Sequence, residues 1–155
     1  MSESPQFTVR AVNWHANERE LRVIRKKVFV EEQQVPEELE WDDEDERSYH
    51  VLLFAPDGTP IGTGRLLRDG RIGRMAVLKE WRGRGAGSAL MVFLLSLARR
   101  MGIDEVTLHA QTHAAGFYAK HGFRAEGEAF MEAGIPHVLM SRTMSEGVTG
   151  DSFKG

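Results

Sequence analysis

The sequence feature that most constrains the fold is a short segment of glycine and arginine between two apolar stretches. Residues 82–87 read Arg-Gly-Arg-Gly-Ala-Gly. The apolar run 75–78 precedes it, and apolar residues every three or four positions from Leu90 to Met101 follow, so the segment joins a strand to a helix. Glycine allows close approach of the backbone, and the start of a helix offers unpaired N–H groups. The segment therefore predicts a loop that binds an anionic group.

Two well-known phosphate-binding motifs do not fit this loop. A P-loop requires Gly-Lys followed by Ser or Thr, which is missing. A dinucleotide-binding turn requires glycines spaced G-x-G-x-x-G after a parallel strand. Here the glycines at 83, 85 and 87 are two apart, and the strand before them belongs to an antiparallel group.

That group is a predicted meander of three strands at 49–54, 60–67 and 71–78. The segments Pro56-Asp57-Gly58 and Asp69-Gly70 supply its two turns. Asn17 and Glu20 predict the start of a first helix. This first helix is predicted to end at about residue 29 or 32. The other predicted elements are a strand at 6–12, a helix at 85–101, a strand at 105–111, a helix at 114–120, and a hairpin of strands at 123–130 and 136–144.

This order predicts a mixed α/β fold with a mostly antiparallel central sheet of about six to seven strands flanked by helices. We expect a parallel pairing across the helix at 85–101. Residues 1–144 are predicted to form a single domain, and 145–155 a flexible tail with little to pack.

Composition excludes several function classes. The chain has no cysteine, so a thiol nucleophile is absent, and we expect a cytoplasmic protein. The longest apolar run, 89–98, is too short to span a bilayer, so no membrane association is expected. The net charge is −3, and the basic residues between 65 and 84 are interrupted by Asp69 and Glu80. Nucleic acid is therefore not the expected partner.

An acidic segment runs from Glu31 to Glu46 and contains ten acidic and no basic residues. One interpretation is a solvated loop. The other is a negative rim that attracts a cationic substrate.

The motifs resemble those of the GCN5-related N-acetyltransferases, the GNAT family. The segment Arg82-x-x-Gly85-x-Gly87 resembles the family's pyrophosphate loop, and Phe117-Tyr118-x-x-x-Gly122-Phe123 resembles its second signature. Matches to the ElaA-like branch are Val28-Phe29-Val30-x-Glu32-Gln33, Glu40-x-Asp42-x-x-Asp45, Ala110-Gln111 and Gly134-Ile135-Pro136-His137. The resemblance covers about residues 7–144 and implies the GNAT acyl-CoA N-acyltransferase fold.

The resemblance also implies the reaction. The chain would transfer the acetyl group of acetyl-CoA, its co-substrate, directly to a primary amine in a ternary complex. The acceptor would be a small amine, a polyamine or a lysine-like side chain. The residues that the resemblance assigns to acetyl-CoA are Met75, Ala76, Val77, Arg82, Gly83, Arg84, Gly85, Ala86, Gly87, Ser88, Gln111, Phe117 and Tyr118.

Acetyl transfer needs a proton donor for the leaving thiolate and a proton acceptor for the amine. Tyr118 is the expected general acid, because a phenol with a pKa of about 10 is protonated at neutral pH. Many family members carry a Glu on the fourth strand as base, whereas this chain has Gly73 and Arg74 there. His137 is one candidate base. Glu32 is a second candidate, as a base or as a contact for the amine.

Three further expectations concern the alternative function, metal binding and oligomeric state. A non-catalytic acyl-CoA-binding or sensor domain on the same fold is the alternative function. No metal site is expected, because His109 and His113 lie where a strand runs into a loop and do not share a face. Exposed strand edges make a homodimer reasonable.

Overall fold

The computed structural model of the chain describes residues 7–144, and seven β-strands lie within that range. The first group forms an antiparallel sheet in the order β1-β2-β3-β4, comprising β1 (Thr8–Val12), β2 (Tyr49–Phe54), β3 (Pro60–Leu66) and β4 (Ile72–Val77). The predicted meander is confirmed, and β1 pairs with β2 at its edge. The predicted tail, 145–155, lies outside the described residues.

The second group forms a sheet in the order β5-β7-β6. Its strands are β5 (Glu105–Gln111), β6 (Arg124–Glu132) and β7 (Ile135–Thr143). Both pairings are antiparallel, so the predicted C-terminal hairpin is confirmed. Because β7 lies between the other two strands, residues that are opposite one another on β5, β7 and β6 share a face of this sheet.

Helices cover both faces of the first sheet. They are α1 (Trp14–Arg25) and α3 (Ala86–Arg100). Further helical elements are a π-helical turn (Lys26–Glu32), α2 (Glu37–Glu40) and α4 (Ala115–Lys120); of these, α4 contacts β5 and β6. Strand β3 is buried along nearly its whole length, because α3 packs on one face and α1 on the other. A Cβ added to Gly64 would lie 2.9 Å from Leu94 Cδ1 on α3, so glycine permits this close approach. Within residues 7–144 no helix is long and apolar enough to cross a membrane.

The first helix begins earlier than predicted. The side chain of Asn13 accepts a hydrogen bond of 3.0 Å from the Ala16 N–H and caps the helix. Asn17 lies inside the helix at a kink, with φ −121° and ψ 19°. The predicted start at Asn17 is therefore wrong, because Asn13, one turn upstream, caps the helix through its side chain without a capping box.

A β-bulge bends β4. Thr63 pairs with Ala76, and Arg65 pairs with Gly73. Two residues of β4 therefore oppose one residue of β3. Arg74 in the bulge has a φ of +50°, and its carbonyl accepts a 2.9 Å hydrogen bond from the Thr63 hydroxyl. A bulge of this kind increases local twist and redirects the strand.

The two sheets meet at one parallel bridge between Arg71 and Thr107. There the Thr107 N–H donates to the Gly70 carbonyl over 3.0 Å. In the described part of the chain the predicted parallel pairing is limited to this bridge, because beyond it the bulged β4 and β5 make no further pairs. The divergence of the two strands creates a cleft between the sheets.

Candidate functional site

Two cavities adjoin along β4. The first, of about 680 Å³, lies between the π-helical turn, β4, β5 and β7. The second, of about 380 Å³, lies between β4, the glycine loop and α4. The residues that line both cavities are Met75, Ala76, Val77, Arg82 and Tyr118. The structure thus brings most of the sequence-predicted site residues together at one place, where the strands diverge.

The glycine loop forms one wall of the second cavity. Gly83 and Gly85 have φ angles of +76° and +87°, and a Cβ added at either position would meet nothing within 4 Å. Helix α3 follows with Gly85 as its N-cap, and no side chain within residues 7–144 caps it. The amide groups of its first turn are therefore available to an anionic ligand. The open space beside these amides leaves room for an anionic group to bind.

The loop side chains have different neighbours. The Arg84 guanidinium lies over the Trp81 ring, 4.8 Å from its centroid. The Ser88 hydroxyl is 3.1 Å from His121 Nε2. Gly87 faces Phe117, whose ring would lie 3.3 Å from an added Cβ. Phe117 therefore packs against the first turn of α3 and closes the side of the cavity.

Arg82 is held by the carboxylate of Glu32. The sequence predicts Glu32 as a base or as a contact for the acceptor amine. Arg82 Nη1 and Nη2 donate to the two carboxylate oxygens over 2.6 and 2.7 Å, and Arg82 Nε donates to the Val77 carbonyl over 2.9 Å. The hydrogen bond from Arg82 lowers the pKa of Glu32, and the same bond raises the pKa of Arg82. The carboxylate of Glu32 is therefore ionised and occupied, not free to accept a proton.

Tyr118 lies on α4 between the two cavities. Its ring makes edge contacts with Phe117 and Phe123, at centroid distances of 5.1 and 6.2 Å. Burial raises the pKa of Tyr118, so its hydroxyl keeps its proton at neutral pH. No hydrogen bond to this hydroxyl occurs within the described residues. The phenol can therefore donate to a group that enters the cavities.

Gln111 and His137 face each other on β5 and β7. His137 is buried, and its Nδ1 donates to the Ile135 carbonyl over 2.7 Å. Gln111 donates through Nε2 to the side chain of Gln33 over 2.9 Å. Gln33 ends the π-helical turn, so this bond ties the helical side of the first cavity to β5. Sequence reasoning did not single out Gln33 as a partner of β5.

A further pair lines the first cavity. His109 Nδ1 on β5 lies 2.7 Å from Glu132 Oε1 on β6, and both side chains are about half exposed. The ring of His109 also meets Phe130 edge-on, with a centroid distance of 5.0 Å. Glu132 was not predicted as a site residue. Its position depends on the strand order β5-β7-β6, which no local pattern in the sequence reveals.

The acidic segment is anchored by arginine. Arg25 is almost fully buried, and it contacts Glu40 through Nε and Asp45 through Nη1, both over 2.8 Å. Arg25 also lies over the Trp14 and Trp41 rings at 5.6 and 5.2 Å. The carboxylates of Glu40 and Asp45 therefore point into the protein.

Two arginines of the first sheet extend this network. Arg65 contacts Asp42 and Asp45 over 2.9 Å each, and Arg74 contacts Glu40 over 3.0 Å and Asp42 over 3.2 Å. Burial alone would raise the pKa of Asp42, but Arg65 and Arg74 outweigh it and lower the pKa. Burial dominates at Glu40 and raises its pKa.

Three of the ten acidic residues are thus neutralised, and they do not form the free negative rim that was one interpretation of the segment. The exposed carboxylates outside both this network and the Arg82–Glu32 pair are Glu31, Glu37, Glu38, Asp43 and Glu46. Within residues 7–144, no three His, Cys, Asp or Glu side chains are grouped so that they could hold a metal ion.

The sequence and the fold both match known proteins. A family model described as an acetyltransferase (GNAT) domain matches residues 11–144. The Bacillus subtilis protein YyaT, named as uncharacterized, is 37% identical over 149 residues, which cover 92% of this chain and 100% of that protein. YjcF of the same organism, named as an uncharacterized N-acetyltransferase, is 40% identical over 81% of this chain and 94% of its own.

Comparison with solved structures points to the same family of folds. Escherichia coli ElaA superposes with a TM-score of 0.79 at 27% identity, over 88% of this chain and 99% of its own. An acyl-CoA N-acyltransferase from Pseudomonas aeruginosa superposes with a TM-score of 0.75 at 31% identity, over 90% of this chain and 99% of its own. These matches define an acyl-CoA-dependent acyltransferase. The chain belongs to the GNAT acetyltransferase family, as its motifs predicted.

Proposed function

We propose that the protein transfers the acetyl group of acetyl-CoA directly to a primary amine, with both substrates bound at once. The observation that supports this most strongly is the meeting of two cavities along Met75–Val77 and beside Tyr118. A ligand in the second cavity and a ligand in the first would touch the same short stretch of β4. Proximity of this kind makes a covalent enzyme intermediate unnecessary.

In this proposal the second cavity holds acetyl-CoA, whose thioester is the activated acyl donor. The amides of residues 82–88 and the charges of Arg82 and Arg84 bind the pyrophosphate. The backbone of Met75, Ala76 and Val77 lies along the pantetheine, and the bulge leaves its edge unpaired towards β5. Phe117 and Gln111 complete the walls of the site.

Tyr118 is the proposed general acid. A protonated phenol between the cavities can donate to the thiolate as the carbon–sulfur bond breaks. His137 lines the first cavity and is a candidate proton acceptor. Glu32 is a candidate contact for the ammonium group of the acceptor, which it could reach only when Arg82 leaves it.

The acceptor class remains a proposal: a small amine, a polyamine or a lysine-like side chain. The exposed carboxylates of the acidic segment support it, because Glu38 and Asp43 retain negative charge and are next in the chain to Leu39 and Asp42, which line the first cavity. Carboxylates that arginines neutralise do not contribute to this attraction. A homodimer through exposed strand edges is likewise proposed and can be tested by light scattering.

The test is a thioester assay with acetyl-CoA and an amine panel of spermidine, lysine methyl ester and phenethylamine. We expect coenzyme A release that depends on one of these amines, with an equal amount of acetylated amine. The Tyr118→Phe variant should lose about 100-fold in kcat and still bind coenzyme A. Tight binding of acetyl-CoA with no amine-dependent release would instead favour the non-catalytic binding or sensor domain.

A further inference from the structure

We propose that the pair His109–Glu132 is the general base of the acyl transfer, with His109 as the group that takes the proton from the acceptor amine. This inference rests on the proposed function, because it names the proton acceptor for that same reaction. It concerns residues outside the fourth strand, where this chain has Gly73 and Arg74 instead of a carboxylate.

The pair has the geometry of an oriented base. His109 Nδ1 lies 2.7 Å from Glu132 Oε1. A carboxylate only accepts hydrogen bonds, so Nδ1 carries the hydrogen and Nε2 of the neutral ring has a free lone pair. Within residues 7–144 no other side chain or backbone group bonds to this ring nitrogen. Glu132 also stabilises the imidazolium that forms when His109 takes up a proton.

The pair faces the acceptor side of the cleft. Leu108 and Ala110, the neighbours of His109 on β5, are buried in the core that α3 covers. Side chains alternate along a strand, so His109 points to the opposite face, together with Gln111. On that face Gln111 contacts Gln33 at the end of the π-helical turn, and His109 and Glu132 line the first cavity.

The other titratable groups at the cavity are less suited to this role. Arginines already hold the carboxylates of Glu40 and Asp42, and the Arg82 hydrogen bond lowers the pKa of Glu32. His113 donates from Nε2 to the Gln111 amide oxygen. His137 is only 7% exposed, which hinders release of a proton to solvent, whereas His109 is about half exposed.

The proton balance is complete without another reactant. The acceptor ammonium gives one proton to His109 Nε2, and His109 passes it to solvent. The neutral amine attacks the acetyl carbonyl, a carbon–nitrogen bond forms, and the carbon–sulfur bond breaks. Tyr118 protonates the thiolate, and the second proton that the nitrogen loses restores the phenol. The products are the amide, coenzyme A and one proton in solution.

The test compares isosteric variants with matched controls, using acetyl-CoA and the amine of the panel that the wild-type protein acetylates. His109→Asn keeps a donor near Glu132 but lacks Nε2, and Glu132→Gln keeps the shape but lacks the charge. The controls are His15→Asn on α1 and Glu128→Gln on the same strand as Glu132; both change exposed residues that line neither cavity. Urea unfolding and coenzyme A binding are measured for every variant.

We expect kcat to fall about 100-fold in His109→Asn, with unchanged coenzyme A binding and an unchanged urea midpoint. In Glu132→Gln, kcat should fall about 10-fold while both KM values stay constant. Added imidazole should restore part of the rate of His109→Ala and leave the wild-type rate unchanged. A merely structural role would not produce this rescue.

The outcomes separate the two proposals. If the wild-type protein acetylates the amine and His109→Asn does so equally fast, the pair is not the base. If His137→Asn is slow while His109→Asn is not, His137 holds that role. If the wild-type protein binds acetyl-CoA but acetylates no amine of the panel, the proposed function fails and the assignment of the base fails with it.

Discussion

The pairing of Arg82 with Glu32 predicts that removing a carboxylate will tighten the binding of coenzyme A. We expect Arg82 to give up its two bonds to Glu32, at 2.6 and 2.7 Å, when it turns to a pyrophosphate oxygen. The two side chains are 40% and 37% exposed. An exposed pair of this kind is worth about 0.5–1 kcal/mol after solvent screening. Glu32→Gln should therefore lower the Kd of coenzyme A by about two- to fivefold.

The assay is isothermal titration of coenzyme A at low ionic strength. Glu31→Gln is the matched control, because it removes the same charge from the neighbouring exposed position. Any general effect of net charge on an anionic ligand will appear in both variants. The difference between the variants should shrink at high salt, since the ion pair is partly exposed. In an Arg82→Gln background, Glu32→Gln should have no further effect.

Two results would refute this reasoning. If Glu32→Gln and Glu31→Gln change the Kd equally, Glu32 does not compete with the pyrophosphate for Arg82. If Glu32→Gln weakens binding, the carboxylate holds Arg82 in the conformation that coenzyme A requires. In either case Glu32 would not be released when coenzyme A binds, and its proposed contact with the amine would lose its basis.

Three further predictions concern the loop and the buried groups. Gly85→Ala and Gly102→Ala both place a side chain at positive φ, +87° and +76° respectively. Each substitution should lower the free energy of unfolding in urea by about 1 kcal/mol. Only Gly85→Ala should weaken coenzyme A binding in titrations. Burial lowers the pKa of His50, which donates from Nε2 to the Asp45 carbonyl over 2.8 Å. In acid the unfolded chain therefore binds more protons at His50 than the folded chain does. The stability that neutral His50 contributes is fully present above about pH 6.5 and is lost as the pH drops through the folded pKa. His50→Gln keeps the donor, so its urea midpoint should lose this part of the pH dependence, and an unchanged dependence would exclude His50 as its source. Asp45→Asn removes the negative charge that Arg25 and Arg65, both buried, contact, and it should lower the free energy of unfolding in urea by about 3 kcal/mol. If it costs as little as Asp43→Asn, which changes an exposed residue, the network adds no stability.

The order of the elements and the glycine loop before α3 were predictable because their signals are local. The turn at Asp69-Gly70 and the start of α3 at residue 86 depend on residues within a few positions of one another. A positional error arose at the first helix, where Asn13 and Asn17 are both suitable N-cap residues and the structure uses Asn13. The family resemblance then supplied the proposed coenzyme A residues, and the comparisons show the family itself.

Contacts between distant segments were not predictable. Arg25 and Asp45 are twenty positions apart, and the charge pattern alone makes residues 31–46 look uniformly acidic. The pairing of His109 with Glu132 requires both the strand order and the register of the second sheet. The ion pair of Arg82 with Glu32 joins residues fifty positions apart. Each of these contacts depends on how the elements pack, which is encoded in no single segment.

The bridge between Arg71 and Thr107 is the one β-pairing between the two sheets within residues 7–144, so the sheets can rotate relative to each other around it. From Arg71 to Val77 the strand extends six residues, or about 20 Å at about 3.3 Å per residue. A rotation of about 5° around the bridge would therefore move the far end of β4 by nearly 2 Å relative to β5. An error of about 1 Å in the placement of reacting groups can cost about 100-fold in rate. Core substitutions behind α3, remote from both cavities, should thus alter turnover before they alter binding.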